Sequence, residues 1–173
     1  MYTLAPDEKA TPVMLYTHNS VVRGETVTKQ AVRVNTWFRT EGIPDYINVH
    51  NSQWVTVTGG AVRPMTFREM FVPLQTIIGF HIIPPGQEGV DYDDNEANRI
   101  NSPLSFLMGM FQVSGKIRVS AQTDIRTSLS ISHAQWLSIY DAVINSPYLP
   151  QMPPLHVPMM LVRPMQVQFI LQS

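Results

Sequence analysis

"FQVSGKIRVS" (residues 111–120) is the stretch on which the reading of the fold turns. Phe111, Val113, Gly115, Ile117 and Val119 fall on one side of an extended chain, with Gln112, Ser114, Lys116 and Arg118 on the other. That period of two is the mark of a half-buried antiparallel strand. The glycine among the apolar positions permits a sharp bend and a close backbone approach. The pattern recurs along the chain. Met165, Val167, Phe169 and Leu171 alternate with Gln166 and Gln168, and Ile47, Val49, Val55 and Val57 share a parity opposite His50 and Thr56. Long helical periodicity is absent, and 14 prolines would break most helices of any length. The short helix candidates are 64–71 ("PMTFREMF") and 123–131 ("TDIRTSLSI"), the latter with Thr123 or Asp124 as cap, and either reads equally well as strand. Short strands separated by Gly and Pro predict an all-β barrel or sandwich.

Self-comparison divides the chain. "VRGETV" (22–27) matches "VSGKIR" (113–118), setting Gly24 opposite Gly115 at a separation of 91. "FVPLQTIIGF" (71–80) matches "VRPMQVQFIL" (162–171), setting Pro73 opposite Pro164 at the same separation. Between them, 45–55 resembles 135–145 with an offset that drifts by a residue or two. The expectation is an internal duplication, with a first module over 1–84, a linker over 85–103 and a second module over 104–173. Within that linker Glu88, Asp91, Asp93, Asp94 and Glu96 stand against Arg99 alone, whereas the flanking halves are weakly basic.

The order of features in each half resembles that of Sm-like small barrels. In the second half the bent strand is Val113-Ser114-Gly115-Lys116-Ile117, a later strand reads Leu137-Ser138-Ile139-Tyr140-Asp141-Ala142, and the last reads Leu161-Val162-Arg163-Pro164-Met165-Gln166-Val167. The likeness covers most of 111–171 and extends more weakly over 13–82, and the whole resembles a bacterial tandem form of that barrel. It implies two five-stranded barrels with at most short helical turns. Two features depart from the family's RNA-binding pattern. The Asp/Asn pair expected before the Asp-Ala strand is not in place, and the Arg-Gly of the final loop is Arg163-Pro164 in one half and Val72-Pro73 in the other. Proline removes a backbone donor there, so nucleic-acid binding is not favoured.

Composition narrows the function classes further. A charged fraction of 14% is well below the roughly 25% of ordinary soluble domains, which suggests a surface partly covered in a homo-oligomer or by an unidentified protein partner. The net charge of −1 offers no attraction to nucleic acid or to an anionic membrane. Without cysteine there are no disulfides, thiolate chemistry or Cys-based zinc sites. The start "MYTLAPDEKATP" does not read as a signal peptide, and no apolar run approaches the ~18 residues of a membrane span. The expected location is the cytoplasm.

Candidate chemistry is sparse. Asp91, Asp93 and Asn95 occupy the first, third and fifth positions of an EF-hand-like loop, but Glu96 stands where glycine is needed and Ser102 where the bidentate glutamate belongs. The run reads as a solvated linker, with no metal or cofactor expected. His18, His50, His81, His133 and His156 show no ligand spacing, and the match of His50 to Tyr140 predicts an outward-facing strand position. No Gly-x-Ser-x-Gly occurs, and Gly59-Gly60 lacks the Lys-Ser/Thr of a phosphate loop, so these glycines read as a turn. Arg33 and Arg39 do not form a cyclic-dinucleotide motif. Trp37-Phe38, Trp54, "FLMGMF" (106–111) and Met159-Met160 supply more apolar bulk than two small cores require, and at least one cluster is a candidate interface. The expectation is a non-enzymatic, self-assembling interaction scaffold. The alternatives are an Sm-like single-strand nucleic-acid-binding module and a small-ligand-binding barrel whose site forms only in three dimensions.

Overall fold

The computed structural model describes residues 2–58, 61–86, 88–93, 96–149 and 151–170. The Gly59-Gly60 turn, Asp94, Asn95, Pro150 and Leu171 lie outside the described residues. The fold is all-β, and the chain forms two units, residues 1–88 and 89–173. No helix among the described residues is long and apolar enough to cross a membrane.

In the first unit the elements are β1 (Glu8–Tyr16), β2 (Ser20–Lys29), α1 (Val34–Trp37), β3 (Tyr46–Thr58), β4 (Ala61–Pro73), a 3-10 turn (Leu74–Thr76) and β5 (Gly79–Ile82). Its antiparallel strands lie in the order β5-β1-β2-β3-β4. The second unit repeats the series with β6 (Arg99–Met108), β7 (Phe111–Ser120), α2 (Ile125–Ile131), β8 (Leu137–Asn145), β9 (Leu155–Val162), a 3-10 turn (Pro164–Gln166) and β10 (Gln168–Ile170). Its order is β10-β6-β7-β8-β9. The expected barrels are not closed: among the described residues β4 and β5 share no ladder, and neither do β9 and β10.

Gly24 and Gly115 sit at the same irregularity of the second strand in their units. Pairing of β2 with β3 slips between Arg23 and Glu25, around Gly24, and pairing of β7 with β8 slips between Ser114 and Lys116, around Gly115. A Cβ on Gly24 would lie 2.5 Å from Val49 Cγ1 and 2.7 Å from the His50 carbonyl oxygen. On Gly115 it would lie 2.7 Å from Ile139 Cγ2 and 3.0 Å from the Tyr140 carbonyl oxygen. Asn51 at φ 47° and Asp141 at φ 49° complete the two bulges in the left-handed region that Asn and Asp tolerate. Beneath the bends Val13, Leu15, Ile47, Val49 and Phe80 are buried in the first unit, and Leu104, Phe106, Val113, Ile139 and Ile144 in the second.

Cross-strand register sharpens the repeat. Val13 faces Gly24 as Leu104 faces Gly115, a separation of 91. Val49 faces Met70 as Ile139 faces Met160, a separation of 90. Leu15 faces Phe80 as Phe106 faces Phe169, which brings the separation of the last strands to 89. The glycine match therefore stands and the proline match moves by one position. Ile47 faces Val72 as Leu137 faces Val162, so the counterpart of Pro73 is Arg163, and Pro164 begins the 3-10 turn that Pro73 precedes.

The two short helix candidates resolve differently, and the linker shortens. Residues 64–71 are strand, inside β4, whereas 123–131 does contain a helix, α2, with Thr127 N–H donating to Asp124 Oδ1 at 2.6 Å. The four-residue α1 has no cap of its own. Its Val34 and Asn35 N–H groups donate to the two oxygens of the Glu88 carboxylate at 2.5 and 3.0 Å, 54 and 53 positions away in the chain. The expected linker is also too long at its far end, because Arg99–Pro103 are β6, paired with Lys116–Ser120.

Candidate functional site

The acidic run is a strap across the second unit. Tyr140 donates its hydroxyl to Asp91 Oδ1 at 2.5 Å, and Ser138 donates to Oδ2 at 2.7 Å. Tyr92 meets Tyr140 edge to face at 4.7 Å, with the Arg118 guanidinium 4.1 Å over the Tyr92 ring. Arg118 also donates to the Asp93 carbonyl at 3.2 Å and to Glu96 Oε2 at 3.3 Å. Both oxygens of Asp91 are engaged by hydroxyls, and Asp93 is held through its backbone. No group of three or more His, Asp or Glu side chains among the described residues is placed to hold a metal. Of the three candidate calcium ligands, Asn95 lies outside the described residues.

The first unit carries a strap of the same design. Tyr2, ninety residues before Tyr92, packs at a tilt against His50, ninety before Tyr140, with ring centroids 4.4 Å apart. Its hydroxyl donates to Glu8 Oε2 at 3.0 Å, and the same oxygen accepts the Ala5 N–H at 3.0 Å. That backbone bond is the main reason the Glu8 carboxyl sits below the usual range. Lys29 anchors the base of the strap through Asp7 at 2.9 Å. His50 is thus buried and not outward-facing as its alternation implied, because the positive φ of Asn51 breaks the strand's parity next to it. Its Nδ1 lies 3.8 Å from Glu69 Oε1, and that oxygen also accepts the Asn48 side-chain amide at 2.6 Å.

His81 is the other buried histidine. Its Nε2 lies 3.0 Å from the Tyr16 hydroxyl and its Nδ1 3.0 Å from the Ile82 carbonyl oxygen. The carbonyl can only accept, so Nδ1 carries the proton and Nε2 accepts from Tyr16. Burial lowers the imidazole to about 4 and raises the Tyr16 phenol. The pair is neutral and enclosed, which suits a structural role. His18, His133 and His156 are exposed.

Two open grooves flank the bulge glycines at equivalent places. One of about 300 Å³ is lined by Pro12, Arg23, Gly24, Glu25 and Asn51, and one of about 450 Å³ by Pro103, Leu104, Gly115, Ile125 and Ile170. Neither gathers the convergent histidine and carboxylate groups that acid–base chemistry requires.

The outstanding surface feature is β4. Eleven of its thirteen residues are exposed, among them Val62, Met65, Phe67 and Phe71, the last at 59%. A long apolar edge strand is a template for pairing with another chain. The contrast with its repeat counterpart is direct. Met65, Phe67, Glu69 and Phe71 correspond in register to Leu155, Val157, Met159 and Leu161 of β9, and the last three of these are at most 7% exposed. The apolar clusters singled out in the sequence lie largely in the cores. Phe38 stacks on Phe80 at 3.8 Å, and Phe106, Met108, Met159 and Met160 are buried. The β4 residues carry no clear strand signature in the sequence, because Arg63, Pro64 and Glu69 interrupt their alternation and 64–71 reads equally well as helix. No protein-family model, curated protein or solved structure matches the chain.

Proposed function

We propose that this chain is a non-enzymatic scaffold that assembles with copies of itself through β4, built from two tandem units of Sm-like design. The observation that carries the reading is the exposure of β4 where its counterpart β9 is buried. Identical strand order in the two units and a bulge glycine in the second strand of each support the Sm-like part of it. The low charged fraction points the same way. A contact centred on Phe67 and Phe71 would bury two aromatic side chains, the residue type that dominates such interfaces. Light scattering at micromolar concentration tests this: the wild type is expected as a defined oligomer, and Phe67→Glu as a folded protein of lower mass. A strictly monomeric wild type refutes the reading.

A further inference from the structure

We infer that the surface covering β4 is the groove between α2, β6 and β10 of another copy, in a head-to-tail contact in which Glu69 of one copy meets Arg126 of the next. The inference rests on the assembly reading above. Each unit's strand order ends on two strands. Of these β5 is buried throughout and β9 over most of its length, leaving β4 and β10 as the exposed ends among the described residues. The groove of about 450 Å³ beside β10 offers Leu104, Ile125 and Ile170 as apolar lining, with Asp124 and Arg126 also lining it. That matches the apolar side chains of β4, where Phe67 and Phe71 bracket Glu69.

Charge follows the same division. Arg126 is exposed, and its charge acts on Asp124 two positions back, to which its backbone N–H also donates. Asp124 beside it already accepts from Thr127 as the cap of α2. Glu69 Oε1 is held by Asn48, while Oε2 has no partner among the described residues. The repeat makes this more than a coincidence of leftover charges. The counterpart of Glu69 on β9 is Met159, and the counterpart of Arg126 on α1 is Asn35, both uncharged and both buried. The two positions carry opposite charges only where both are exposed. An arginine fork facing a carboxylate adds register to an otherwise apolar contact. A contact between two different surfaces is heterologous, so each copy keeps one donor and one acceptor face.

The test is charge reversal, read by sedimentation or light scattering on the full chain, with circular dichroism to establish that each variant is folded. Glu69→Arg and Arg126→Glu are each expected to weaken assembly at least about tenfold, and the double variant to return it to near the wild-type value. Mixing the two single variants gives the sharpest result. Every junction between unlike copies pairs opposite charges while every junction between like copies opposes equal ones, so the mixture is expected to assemble with the two variants alternating although neither assembles alone. The milder Glu69→Gln and Arg126→Gln, expected to weaken assembly in the same direction, replace any reversal that fails to fold. Single variants that assemble like wild type, a double variant no better than the singles, or a mixture that stays monomeric each overturn the inference while leaving self-assembly standing. A monomeric wild type overturns both.

Discussion

Substitution of Gly24 by alanine puts the bend of the first unit to a quantitative test. The new methyl carbon would stand 2.5 Å from Val49 Cγ1 and 2.7 Å from the His50 carbonyl oxygen. Carbon atoms in contact sit about 3.5–4.0 Å apart, so roughly 1 Å must be found. Val49 is fully buried, and the carbonyl belongs to the strand across the bulge. Neither yields without disturbing the core or the β2–β3 ladder. Overpacking of this kind costs about 1–3 kcal/mol, while the stiffer unfolded chain returns about 0.4–1 kcal/mol. The net loss is about 1–2 kcal/mol, or roughly 4–16 °C for a unit of this size. Gly115→Ala meets its nearest atoms at 2.7 and 3.0 Å and is expected to lose less. Scanning calorimetry of the two variants checks both the size and the order. An unchanged melting profile for Gly24→Ala, or a larger loss for Gly115→Ala, would refute the claim that the bulge excludes a side chain by contact.

Other perturbations reach the remaining features. The His81 imidazole has a folded value of about 4 against an ordinary 6.5, so the unfolded chain binds more protons between those limits. Stability from this site is complete above pH 6.5 and falls by about 3 kcal/mol as the pH drops to 4. Urea unfolding across that range should show the slope in wild type and a flatter one in His81→Gln. Glu88→Ala removes the carboxylate that caps α1 and should cost about 1 kcal/mol, seen as lost amide protection at Val34 and Asn35 with the second unit unaffected. Asp91→Ala leaves the hydroxyls of Tyr140 and Ser138 without their acceptor and should destabilise the second unit by about 1–2 kcal/mol, measured by chemical denaturation. Calcium should leave the wild-type melting temperature unmoved, since the Asp91 oxygens are already engaged.

What could be read in the sequence follows from what is local. The alternation around Gly115 was legible because one face of β7 is buried and the other wet, and that contrast is written residue by residue. The cap of α2 was legible because Asp124 lies three positions from the N–H that it accepts. Contacts between distant residues were not. Glu88 finds α1 only through the fold, and the packing of Tyr2 against His50 has no spacing signature. The parity argument failed at His50 because one residue at positive φ shifts every alternation that runs across it. At β4 an interrupted pattern concealed the apolar surface that matters most for the proposed contact.

Glu88 and Asp91 stand three residues apart, yet each completes a different half of the molecule: one the helix of the first unit, the other the strap of the second. The practical seam is therefore close to a single peptide bond. A fragment beginning at residue 89 would retain its own strap and the whole of β6. One beginning at 104, where a linker would have ended, would strip five residues from β6 and leave Tyr140 without its carboxylate. Anyone dividing this chain to study its halves would, by trusting the acidic composition, cut through a strand.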